Sequence, residues 1–115
     1  MEFTMTRTTA IAILVVAATL EAAGDALVRV GLHANVLWHR AALFGLATAI
    51  LFAYGWTVNA PPWDFGKLLG LYVVLFFVIA QIISWGFFKQ TPSPSVIVGG
   101  GFIVVGGIII SLARA

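Results

Sequence analysis

Glu21, Asp25 and Arg29 recur at every fourth position inside an apolar stretch, and that spacing lays all three along roughly one helical face. A charge at bilayer depth costs at least ~2.5–3.5 kcal/mol on insertion scales. A chain with only 9% charged residues that places three of them there has a use for them. Two chemistries fit. A carboxylate in an apolar cavity can hold a proton and give it up when a cation arrives. Alternatively, Arg29 neutralises Asp25 one turn away as an internal ion pair. Glu21 sits two turns from Arg29, about 12 Å along the axis, and suits the first chemistry better. Leu14, Ala17, Ala18, Gly24 and Val28 fall within about one quadrant on either side of Glu21. Mostly small residues flank the carboxylate, which leaves room for a bulky cation.

The elements that must position these residues follow from composition. The 115-residue chain is 62% hydrophobic, and its mean hydropathy of +1.10 is far above that of ordinary globular domains. It has too little polar surface to coat a soluble core. An isoelectric point near 9.5 arises from scattered Lys and Arg, with no basic patch for nucleic acid. There are no cysteines, so disulfides, thiolate metal sites and thiol catalysis are excluded. The expected architecture is an all-α integral membrane protein, one domain over residues 1–115. Its four spans run over about 8–32, 41–58, 65–88 and 96–112, each near the ~20 residues a crossing helix needs. Asn59-Ala60-Pro61-Pro62 and Thr91-Pro92-Ser93-Pro94-Ser95 interrupt the helices, and Asp64 is placed to cap the third. Short connections predict that consecutive helices are antiparallel neighbours. Arg7 followed by Ile11–Leu20 and small residues also mimics a signal peptide. An uncleaved first helix fits better, because apolar character resumes at Ala26, Leu27 and Val28.

The Lys and Arg distribution gives little orientation. Arg7, Lys67 and Arg114 fall on one side, and Arg29, Arg40 and Lys89 on the other. Orientation follows that bias, so this balance predicts either an externally fixed orientation or insertion both ways round, giving an antiparallel dimer. Gly99 with Gly106, and Gly100 with Gly107, lie seven apart on nearly one face of the fourth helix. Small residues let membrane helices approach closely, so these four glycines are the expected dimer interface. Gly66 and Gly70 form a weaker GxxxG.

Other candidates carry less. Gln81 lies mid-span and calls for an interhelical hydrogen bond. Tyr54 and Trp56 offer aromatic surface to a cation or anchor the helix at the membrane interface. Trp63, Asp64 and Lys67 read as interface anchors, and His33, His39 and Arg40 as solvent- or headgroup-facing residues. No phosphate loop, nucleophile–base pair or metal-ligand cluster occurs. The chain is therefore expected to be no enzyme and to need no cofactor.

Glu21, Gly24 and Arg29, the segment Ser84-Trp85-Gly86-Phe87-Phe88-Lys89-Gln90 and the glycine-rich fourth helix resemble the small multidrug resistance family, four-helix members of the drug/metabolite transporter superfamily. The second and third helices are also similar to a less characterised four-helix group in that superfamily. The first resemblance implies an antiparallel homodimer in a bacterial inner membrane, exchanging protons for cationic or amine-like substrates at Glu21. The family's aromatic pair early in the third helix maps to Leu69 at the Tyr position and Tyr72 at the Trp position. Val73, Val74, Leu75 and Phe76 replace its glycines, and Asp25 is an extra acid. The resemblance thus implies a binding set of Glu21, Asp25 and Tyr72, supported by Gly24, Arg29 and Tyr54, driven by the proton gradient. Two other functions suit the same residues. One is a subunit of a lipid-intermediate translocase. The other is a non-transporting structural subunit in which Glu21, Asp25 and Arg29 form a static polar clasp.

Overall fold

The computed structural model describes residues 6–112, so Arg114 of the charge balance lies outside the described residues. The chain forms four helices, α1 (Arg7–Leu32), α2 (Leu37–Val58), α3 (Phe65–Gly86) and α4 (Pro94–Leu112). All four are long and apolar enough to cross a membrane.

The helix ends follow local chemistry. Thr6 caps α1 by accepting the Thr9 N–H at 3.1 Å. α2 begins at Leu37, four residues before the expected Ala41. His39 and Arg40 are thus helical, and the Arg40 guanidinium lies 5.9 Å from the Phe44 ring centre one turn on. Asp64 occupies the cap position of α3 but makes no side-chain cap bond. Its carbonyl accepts from the Leu68 N–H at 2.8 Å. α3 stops at Gly86, before the expected Phe88, and Lys89 then reverses the chain at φ 58°. Pro94 opens α4, where its missing N–H costs no helical bond. Ser93 Oγ accepts the Val96 N–H at 3.3 Å there.

Packing departs from a simple sequential bundle. The extensive interfaces are α1 on α2, α1 on α3, and α3 on α4. α2 and α3, consecutive in the chain, are separated over most of their length by α1. The reason is that α1 carries two small-residue faces. A Cβ at Gly24 would come within 2.6 Å of Leu51 Cγ, and one at Gly31 within 2.6 Å of the Phe44 ring, so these glycines let α2 approach closely. Leu14, Ala17 and Ala18 meet Leu68, Leu71 and Tyr72 of α3, with Val58 of α2 joining the same buried cluster. The helix order across the layer is α2–α1–α3–α4. The resulting slab measures 50 × 41 × 18 Å.

The glycines of α4 divide between two faces. A Cβ at Gly100 would meet the Phe77 ring at 2.5 Å, and one at Gly107 would collide with Val74. Both are therefore taken up against α3 within the chain, where Gly70 likewise admits Ile110. Gly99 and Gly106 have nothing within 4 Å. Gly107→Ala is accordingly expected to destabilise the fold by about 1–3 kcal/mol, because β-branched Val74 has few rotamers to retreat into. Gly99→Ala should stay within about 0.5 kcal/mol. Unfolding of both variants in detergent measures the contrast, and equal losses would refute this division of faces.

Candidate functional site

Glu21 projects from the middle of α1 toward α3, where the Tyr72 hydroxyl donates to Glu21 Oε1 at 2.6 Å. That length lies within the range of an O–H···O hydrogen bond to either form of the acid. Tyr72 is only 4% exposed, while Glu21 is half-buried. Directly before the carboxylate along α1, Ala17 and Ala18 are fully buried. Their short side chains let α3 come near enough for a phenol to span the gap. The Tyr72 ring is itself held on two sides. Phe76 stacks at 6.1 Å and 26°, and Tyr54 of α2 lies at 5.7 Å and 32°. Three aromatic rings from two helices therefore converge beside one carboxylate. Such π faces attract organic cations, and the carboxylate supplies both a counter-charge and a proton acceptor.

The expected site residues separate into groups. Glu21, Tyr72 and Tyr54 come together, and Gly24 serves the α1–α2 contact that carries Tyr54 toward them. Leu69 packs against the core cluster. Trp56 is 75% exposed and stands apart from this cluster. Trp63 packs partly buried against the core, with Lys67 Nζ 5.1 Å from its ring centre.

One turn beyond Glu21, Asp25 lines a cleft of about 220 Å³ between α1 and the end of α3, with Arg29, Phe76, Ser84, Phe88 and Gln90 among its walls. Asp25 and Arg29 do not form the internal ion pair that their spacing permits. Arg29 turns instead toward the Phe88 ring, its guanidinium carbon 5.3 Å from the centroid. The static clasp of Glu21, Asp25 and Arg29 is thus not formed among the described residues. His33 ends α1 with Nδ1 2.8 Å from the Arg29 carbonyl.

Ser84–Gln90 has a clear structural task. After α3 the chain folds back so that the Gln90 N–H donates to the Ser84 carbonyl at 2.9 Å. Ser84 Oγ lies 3.3 Å from Gln90 Oε1, and Lys89 Nζ donates to the Gly86 carbonyl at 3.2 Å. This turn sets Phe88 beneath Arg29 and Gln90 at the cleft mouth. Lys89→Val should weaken the turn by about 1 kcal/mol or more, because a β-branched residue resists the left-handed region, whereas Lys89→Gly should be tolerated. Amide exchange at Gln90 would report the difference, and equal protection in the two variants would sink the idea.

Nothing in the sequence marks Phe76, Ser84, Phe88 or Gln90 individually as a site residue. The motif Ser84–Gln90 stands out in the chain, but its fold-back against α1 does not. Gln81 is half-buried beside Ile82, Trp85 and Pro92 and makes no hydrogen bond among the described residues. No group of three or more His, Cys, Asp or Glu able to hold a metal occurs among them either. Comparison of the chain with protein-family models, curated proteins and solved structures returned no match.

Proposed function

We propose that this chain is a small proton-coupled membrane transporter that exports cationic or amine-like compounds, with substrate and protons competing for Glu21. The observation that carries this proposal is the 2.6 Å contact between Glu21 and the hydroxyl of buried Tyr72, within a layer of helices long and apolar enough to cross a membrane. A hydroxyl donor, adjacent aromatic faces and small neighbours make a site that an organic cation can enter when the proton leaves. Mutually exclusive occupancy then couples the two fluxes, provided access alternates between the sides of the membrane. The chain's own residues supply the electrostatics and no covalent step is needed.

The working unit is an antiparallel homodimer. A layer only 18 Å thick leaves Glu21 half-buried, and a second copy laid against it would close the site. The even distribution of Lys and Arg permits insertion both ways round. Gly99 and Gly106, open on the outer face of α4, offer a close-approach surface to that copy. Two carboxylates would then share one cavity.

Reconstitution into liposomes under a pH gradient tests the proposal. Guanidinium, quaternary ammonium and polyamine cations should be added in turn while internal pH is followed. Stimulated proton efflux by one of these classes is expected. A stable, folded protein that gives none would overturn cation exchange.

A further inference from the structure

The cleft beyond Glu21 presents an acid and a base that ignore each other. The Asp25 side chain has no hydrogen-bond or ion-pair partner among the described residues, and the Arg29 guanidinium has the Phe88 ring. Both line the same opening of about 220 Å³, the liquid volume of about seven waters. Opposite charges one helical turn apart attract each other, and both side chains are exposed to the cleft. Here the fold-back after α3 keeps them separate by offering Arg29 an aromatic face. Gln90 stands at the same mouth with Oε1 close to Ser84 Oγ, so its amide hydrogens remain available as donors.

We infer that this cleft is a second binding site, for a small zwitterion whose primary ammonium meets Asp25 and whose carboxylate or phosphate meets Arg29 and Gln90. The backbones of Asp25 and Arg29 are separated by about 6 Å along the helix axis. An ammonium joined to its anion by two or three carbons spans that distance. A simple cation would satisfy Asp25 and leave Arg29 unmatched, and a simple anion would do the reverse. Each would forfeit one charge-assisted contact. The same chemistry exists in soluble amino acids, in amino-phosphates and in an ethanolamine phospholipid headgroup. The cleft adjoins the Glu21–Tyr72 contact, sharing Phe76 with it, but the proposed binding does not depend on proton exchange there.

Calorimetric titration of the full chain in detergent at neutral pH tests the inference, with no membrane gradient involved. The probes are γ-aminobutyrate and O-phosphoethanolamine, with propylammonium and butyrate as single-pole controls. Both zwitterions should bind, and both controls at least tenfold more weakly. Asp25→Asn and Arg29→Gln should each weaken zwitterion binding at least tenfold, while Ile97→Ala, at an exposed position of α4 outside the cleft lining, should leave it unchanged. Equal binding of zwitterions and controls, unchanged affinity in both site variants, or no binding by folded wild type would overturn the assignment. The titration is then repeated in nanodiscs with and without phosphatidylethanolamine. Suppression by that lipid identifies the headgroup as the occupant, and unchanged affinity identifies a soluble zwitterion. Persistence of zwitterion binding in a protein that shows no cation-stimulated proton flux would separate this site from the exchange proposal.

Discussion

Glu21→Gln is expected to lower cation-stimulated proton flux by at least about a hundredfold in sealed liposomes while the protein still folds. Removing one partner of a desolvated charge pair costs about 3–5 kcal/mol, and each 1.4 kcal/mol is a factor of ten. The substitution keeps the shape and an acceptor oxygen for the Tyr72 hydroxyl, which donates to Glu21 at 2.6 Å. It removes the charge and the exchangeable proton. Near-equal unfolding of the two proteins, measured without substrate, would show that the lost flux is not lost structure. Retained flux in the variant would move proton exchange away from Glu21, and Asp25, the neighbouring acid one turn on, would then be tested by Asp25→Asn. Loss of folding in place of flux would favour a structural carboxylate.

Much of the fold could be read from the chain, for physical reasons that also explain what could not. A membrane span is declared by length and apolarity, so all four helices appear in the sequence within a few residues of their ends. Glu21 stands out because a carboxylate at that depth is costly. The order of helices in the layer is hidden, because lipid-facing and protein-facing positions are both apolar. Val74, which receives Gly107, looks no different from Val73, which is 51% exposed. The glycines mark close approach but not the partner. Gly24 and Gly31 admit α2, Gly100 and Gly107 admit α3, and Gly99 and Gly106 face outward. The spacing of seven could not divide them. The bond from Tyr72 to Glu21 joins residues 51 apart in sequence and depends on α1 lying between α2 and α3. The Asp25–Arg29 pairing failed for a related reason. Helical spacing permits it, but Phe88, brought back by the turn after α3, competes for the guanidinium.

Tyr72→Phe separates a hydroxyl that merely joins α1 to α3 from one that prepares Glu21 for a cation. The ring and its contacts with Phe76 and Tyr54 would remain, so only the donated hydrogen bond is lost. A bond to a charged group contributes about 1.5–3 kcal/mol, against about 0.5–1.5 kcal/mol for a neutral one. The cation-bound state needs the ionised carboxylate and loses the stronger bond, whereas a cation-free state with a neutral acid loses only the weaker. The difference is about 1–1.5 kcal/mol, which corresponds to roughly a tenfold loss of cation affinity at fixed pH. Stability of the cation-free protein should fall by the smaller amount, about 1 kcal/mol. Equilibrium binding and detergent unfolding of the same preparation measure both quantities. A full loss of stability with unchanged cation affinity would make Tyr72 a structural tie. A tenfold loss of affinity with a modest loss of stability is the outcome that follows if the phenol holds the carboxylate in its charged, cation-ready form.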